Sequence, residues 1–305
     1  MAPHLNAGQG SAIAQDGTAA AAPARCKNCD AVLLGRYCVN CSQAADVHVP
    51  TTVELTHELM EGLTHSDSRL WRTLAYLWFK PGKLTREFVA GRRVSYLPPF
   101  RLYLVLSVIF FLLASLSHTR GEFIRFDEAA ATPASKLSSC DGINFDALPQ
   151  YPELNPRIRH VCKEIVRDNG ANLTHIVLGT MSKAMLIFLP LTAFLHMLLY
   201  RRPRYRYAEH LLFFVHLHAF FFSAAIVALL AIDAAHLWPA LQRSANSLQT
   251  LLGWAAVTYT VIAVRRVFAR SWGGALFKSF ALSIIYLIVF VLTVVGVFVY
   301  ALLQL

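Results

Sequence analysis

The stretch SFALSIIYLIVFVLTVVGVFVYALLQL, Ser279–Leu305, contains no charged residue. A helix rises 1.5 Å per residue, so about 20 apolar residues cross the roughly 30 Å of bilayer hydrocarbon. This run exceeds that length. Four more uncharged runs precede it, at Leu102–Thr119, Ala184–Tyr200, Leu211–Ile232 and Ser244–Val264. The first two reach span length only by taking in Arg101 or Lys183, whose long side chains can reach the headgroups. Five such runs in one chain leave almost no polar face for a soluble bundle to solvate. The fold class expected is therefore an all-α integral membrane protein of about five transmembrane helices. They are placed at residues 98–119, 181–200, 211–232, 246–264 and 277–303.

Composition agrees with this reading. The chain is 56% hydrophobic and 15% charged, against about 25% charged in soluble domains. Its net charge of +10 would suggest nucleic acid as a partner in a soluble protein. Here the cations sit at the ends of apolar runs, where they meet anionic headgroups and fix orientation, so the bilayer is the expected partner and nucleic acid is not.

Lys80, Lys83, Arg86, Arg92, Arg93 and Arg101 precede the first span. Arg201, Arg202, Arg204 and Arg206 lie between the second and third, and Arg265, Arg266, Arg270 and Lys278 between the fourth and fifth. The short loop Asp233–Arg243 holds one basic residue. By the positive-inside rule the N-terminus is expected in the cytosol and the C-terminus on the outer side. Residues 1–24 show no basic segment followed by an apolar one, so no signal peptide is expected. Their Ala-rich part reads as a disordered leader. The outer segment 120–180, with Pro133, Pro149, Pro152 and Pro156, is too long for a bare connection and reads as a small subdomain.

Six cysteines divide as four and two. Cys26-x2-Cys29 and Cys38-x2-Cys41 supply the four thiolates of a tetrahedral site, and zinc is the metal expected ahead of iron. A cytosolic location disfavours structural disulfides there. Residues 25–45 are expected to form a knuckle or reduced ribbon with one hairpin between the pairs, turning at Gly35. With few apolar neighbours, the metal would supply most of the folding free energy, and the closed ligand set reads as structural. Cys140 and Cys162 fall in the outer segment, where a disulfide is permitted; two unpaired thiols are the alternative.

Residues 51–97 carry short helical patterns at Thr52–Leu63, at Arg69–Lys80 with Asp67 or Ser68 as cap, and at Leu84–Ala90 stopped by Gly91. Aromatic residues mixed with cations suit helices on the cytosolic leaflet; packing against the knuckle or the span ends is the alternative.

His196, His210, His216 and His218 lie in or beside the second and third spans. His196 and His216 fall at similar depths from their shared loop, so His196, His210 and His216 are candidates for a metal or haem site, or for a proton relay with Glu209. A neutral histidine bonding a neighbouring helix is the plainer alternative. Pro190 can kink the second span. No Gly-rich phosphate loop, nucleophile elbow or HExxH motif is present, and no catalytic residue is nominated.

Four segments in this order carry a resemblance: CKNC…RYCVNCSQ (Cys26–Gln43), PG…GRR (Pro81–Arg93), PPFRLYL (Pro98–Leu104) and RYAEHLLFFVHLHAF (Arg206–Phe220). Over about residues 25–230 the chain resembles DUF3667, an uncharacterised bacterial membrane family with an N-terminal zinc-ribbon-like YCxxCGQ signature. Ser42 stands where that signature has Gly. The resemblance implies a bacterial inner-membrane protein with a cytosolic metal knuckle, and no activity. A non-enzymatic docking platform for a cytosolic protein is the function expected. A transporter component using the intramembrane histidines, which would need an oligomer, and a membrane haem or metal enzyme are the alternatives.

Overall fold

The computed structural model describes residues 24–46, 69–117, 140–141, 154–168, 170–200, 205–268 and 271–304. The leader, the Thr52–Leu63 helix, the Asp67 or Ser68 cap, most of the long outer segment and the Arg201–Arg204 cluster lie outside them. The chain divides into two compact units, Met1–Asp46 and Val47–Leu305.

The second unit is helical. In chain order it contains α1 (Arg69–Phe79), α2 (Lys83–Val89), α3 (Pro99–Leu116), α4 (Leu154–Arg167), α5 (Ala171–Leu198), α6 (Tyr207–Leu237), α7 (Gln242–Phe268) and α8 (Trp272–Gln304). A single turn of 3₁₀-helix, Pro239–Leu241, joins α6 to α7. Five of these are long and apolar enough to cross a membrane: α3, α5, α6, α7 with its leading turn, and α8. The chain is accordingly a membrane protein. Large apolar side chains such as Val108, Leu112, Ile187, Trp254, Phe280 and Leu292 stand exposed along these helices, as a lipid-facing surface requires.

The helix ends follow from local chemistry. Pro98 and Pro99 open α3, where a missing N–H costs nothing and φ is already helical. The Asp168 carboxylate accepts from the backbone N–H of Gly170 and Asn172 at 3.0 and 2.9 Å, so one side chain caps the start of α5. Gly170, at φ 77°, makes the sharp reversal from α4. The sequence reading started this span at residue 181; the helix begins at Ala171. Hydropathy marks where lipid begins, whereas helix continues into water as far as caps allow.

The central helix is α6, buried without a break from His210 to Phe220. It touches α1, α2, α3, α5 and α7. Tyr103 and Phe110 of α3 both pack on Phe222, and the Ser117 hydroxyl after α3 bonds the Asp233 carboxylate. The two helices thus run parallel. Phe188 of α5 meets Tyr286 and Phe290 of α8, while Lys278 sits 4.1 Å over the Tyr200 ring. That pair is antiparallel.

Helix lengths are unequal. α3 has 18 residues, about 27 Å and close to the hydrocarbon thickness. α6 and α8 have 31 and 33, about 46–50 Å, so they overhang. Beside the overhang at the start of α6 sits the α1–α2 hairpin. Trp78 packs edge-on against Phe220, and Thr85 bonds His216. The Pro81–Gly82 turn lies on α7, with the Pro81 carbonyl accepting from Arg266 at 2.6 Å. The Thr73 hydroxyl accepts from the buried Leu97 N–H at 3.0 Å and ties α1 to the approach to α3. These helices therefore pack against the span ends through Leu77, Leu84 and Phe88, while Trp71 and Phe79 remain outward at 77% and 81% exposure. The inner faces adopt the packing alternative; the outer aromatic face suits a leaflet surface.

Candidate functional site

The first unit is built around cysteines. Residues 24–33 and 36–45 fold alike, offset by twelve positions. In the first half Cys26 N–H bonds the Ala31 carbonyl, Asp30 N–H the Cys26 carbonyl, and Leu33 N–H the Ala24 carbonyl. In the second half the same bonds join Cys38 to Gln43, Ser42 to Cys38, and Ala45 to Arg36. Single antiparallel bridges close each half, Arg25 with Val32 and Tyr37 with Ala44. This corrects the expected single hairpin between the pairs. Each CxxC closes its own turn, and Gly35 lies at the bend between them without a left-handed φ.

The residue after each second cysteine, Asp30 at φ 62° and Ser42 at φ 60°, is left-handed. The reason is geometric: the chain must reverse at once for backbone N–H groups to face the sulfurs. The glycine of the resembled signature would fall at Ser42, the position where a missing Cβ relieves strain. Ser42→Gly should stabilise the knuckle by about 1 kcal/mol, roughly a fivefold gain in apparent metal affinity. Competition against a chelator would read that change; a loss of affinity would contradict the strain argument.

The four Sγ atoms lie within 4.8 Å of one another. Cys26 and Cys41 are 3.5 Å apart, as are Cys29 and Cys38. A tetrahedral ion with metal–sulfur bonds of about 2.3 Å needs sulfur separations near 3.8 Å. The donor set therefore fits a metal ion. Backbone N–H groups of Cys41 and Asn40 hold the Cys38 thiol down at about 7, whereas burial pushes Cys41 up to about 11. Four thiols in one cage cannot all ionise cheaply without a cation among them. Among the described residues these cysteines are the only group of three or more His, Cys, Asp or Glu side chains that could hold a metal.

Cys140 and Cys162 are joined in a disulfide, with Cα atoms 5.8 Å apart. The bond ties residues 140–141 to α4, and Lys163 pairs with Asp141 at 2.6 Å beside it.

The four histidines do not converge. Positions 210, 216 and 218 on one helix point in three directions, because six and eight residues advance the face by about −120° and +80°. His196 meets His210, not His216: their Nδ1 atoms are 3.0 Å apart and both residues are fully buried. One ring must donate and the other accept, so they hold opposite tautomers. Among the described residues their Nε2 atoms and the Tyr200 hydroxyl have no hydrogen-bond partner. Phe268 stacks on His210 at 4.9 Å between centroids, and Tyr200 and Phe214 pack around His196. His216 Nδ1 faces the Leu212 carbonyl at 2.9 Å and the Thr85 hydroxyl at 3.1 Å. His218 Nδ1 faces the Phe214 carbonyl and its Nε2 the Tyr286 hydroxyl, at 2.9 and 3.2 Å. At the start of α6 the Glu209 backbone N–H donates to the Arg206 carbonyl at 2.9 Å, and among the described residues no histidine bonds its carboxylate. The bonds to Thr85 and Tyr286 join His216 to α2 and His218 to α8. Sequence reasoning missed Thr85 and Tyr286 as their partners, since nothing local marks either residue.

No curated protein and no solved structure matches the chain. One family model does: residues 67–111, the stretch that forms α1, the Pro81–Gly82 turn, α2 and most of α3, match the family described as a protein of unknown function (DUF3667).

Proposed function

We propose that the protein is a membrane-anchored docking platform, with a structural zinc ion folding the N-terminal knuckle as its recognition module. The supporting observation is the knuckle's surface. Among the described residues 24–46 the buried side chains are Cys26, Cys38 and Gln43, while Leu34, Tyr37 and Val39 are 80%, 64% and 76% exposed. A module that folds around an ion is free to spend its apolar residues on a partner instead of a core. The closed cysteine set leaves no open coordination position, which suits recognition over catalysis. Zinc fits the all-thiolate donor set and needs no redox chemistry. The alternating basic loops favour an N-terminus on the cytosolic side, and the DUF3667 resemblance favours a bacterial inner membrane.

Photo-crosslinking residues placed at Tyr37 and Val39 of the full-length chain in cells test this reading. A discrete protein adduct at both sites, lost when Cys41 is replaced by Ser, is the expected result. Adducts to lipid alone, or adducts unchanged by that substitution, would contradict it.

A second reading rests on the His196–His210 pair. A shared proton between buried imidazoles with open Nε2 atoms suits a proton relay in a transport component. It requires that His210→Gln abolish proton-coupled flux in proteoliposomes while leaving the bundle folded; unchanged flux would remove it.

A further inference from the structure

At the basic end of the bundle lies a cavity of about 260 Å³, lined by Lys83, Arg86, Glu87, Ala90, Arg92 and Arg266. We propose that it is a binding site for a phosphate group, carried either by an anionic lipid headgroup or by a soluble phosphate.

The site is assembled, not a run of neighbouring charges. Lys83, Arg86, Glu87 and Ala90 share one face of α2 at spacings of three and four. Arg92 follows that helix, and Arg266 comes from the last turn of α7. Two of the cations are already fixed. Arg92 is ion-paired with Glu87, and its guanidinium holds the Glu87 carboxyl below the usual carboxylate range. Arg266 spends one donor on the Pro81 carbonyl, and a guanidinium has five. Lys83 lies 4.5 Å over the Tyr76 ring, and Arg86 is exposed.

Among the described residues four cations thus face one carboxylate, which one of them neutralises. Such a surplus beside a low-dielectric slab attracts an anion. Guanidinium forks match phosphate oxygens, and several donors from different directions favour a tetrahedral anion over a planar carboxylate. The volume is below the roughly 300–1,000 Å³ of pockets for drug-sized ligands, so it suits a headgroup or a small anion. Exposed Trp71 and Phe79 on the adjoining α1 mark the level of a membrane surface, which is where lipid phosphates lie.

Native mass spectrometry of the full-length protein in detergent tests the site, with phosphatidylglycerol, phosphatidylcholine and inorganic phosphate as separate probes. The pocket variant is Lys83→Gln with Arg86→Gln. The control, Arg72→Gln with Lys80→Gln, removes the same charge from α1 and its end, outside the cavity. Thermal unfolding checks that both variants fold. Phosphatidylglycerol should bind the parent at least about tenfold more tightly than phosphatidylcholine, with the preference lost in the pocket variant and kept in the control. Binding of inorganic phosphate with the same variant pattern, and no phosphatidylglycerol preference, would support the site with a soluble ligand. Equal losses in both variants, or no binding of either anion, would overturn it.

Discussion

Replacing Cys38 by Ser is expected to release the metal and unfold residues 24–46 while the helical bundle stays folded. Cys38 is 1% exposed, and the knuckle buries only Cys26, Cys38 and Gln43 among its described residues. Burial of two small thiol side chains contributes a few kcal/mol at most. Metal binding to structural zinc peptides contributes on the order of 10–16 kcal/mol at neutral pH. An ion bound here would therefore decide whether this unit has a structure, and removing one of four ligands should cost most of that term. Hydrogen exchange of the full-length protein, with metal analysis, would read the change. Amides of Cys26, Cys38 and Ser42 should lose protection together when the metal leaves, whether by substitution or by chelator, and α6 should not change. Retained protection in a metal-free sample would show that the backbone turns hold without the ion.

Replacing Gly82 by Ala should destabilise the bundle by about 2–5 kcal/mol. Two independent terms add. Gly82 has φ 70°, where an L side chain costs about 1–2 kcal/mol. A Cβ there would also lie 3.0 Å from the Ala263 carbonyl oxygen, and 3.1 Å from Ala263 Cα and Val267 Cγ2. Two of those atoms are helix backbone and cannot step aside, so the turn must lift off α7 at an overpacking cost of about 1–3 kcal/mol. Arg266 would lose its bond to Pro81 in the same movement. Gly35 is the control, with no atom within 4 Å of its added Cβ and no left-handed φ; Gly35→Ala should stay within about 0.5 kcal/mol. Thermal unfolding in detergent distinguishes the two. Equal melting of both variants would mean that the hairpin does not seat on α7.

Much of this architecture can be read from residue types. The five apolar runs locate the spans, since lipid admits no other solvent for them. The CxxC pairs locate the knuckle, because thiolates at that spacing have few other uses. What could not be read is tertiary. The start of α5 at Ala171 depends on a cap from Asp168 that hydropathy does not register. The twelve-residue offset of the knuckle halves depends on main-chain hydrogen bonds, and Ala, Val and Gln residues do not announce them. Depth arithmetic paired His196 with His216 by distance along the helix. Helical phase turned His216 toward Thr85 instead, and brought His210 to His196. The Gly82 contact and the four-cation cavity join α2 to α7, nearly two hundred residues apart in sequence, and neither side alone signals the other.

The proposed topology has five spans, with the basic loops and the segment before the first span on one side of the membrane. Reporter fusions in living cells, active only on one side, test it at position 46, at Arg204, at Ala240 and after Leu305. The five-span arrangement predicts that 46 and 204 report one side, and 240 and the C-terminus the other. Positions 46 and 204 on opposite sides, or 204 and 240 on the same side, would contradict it.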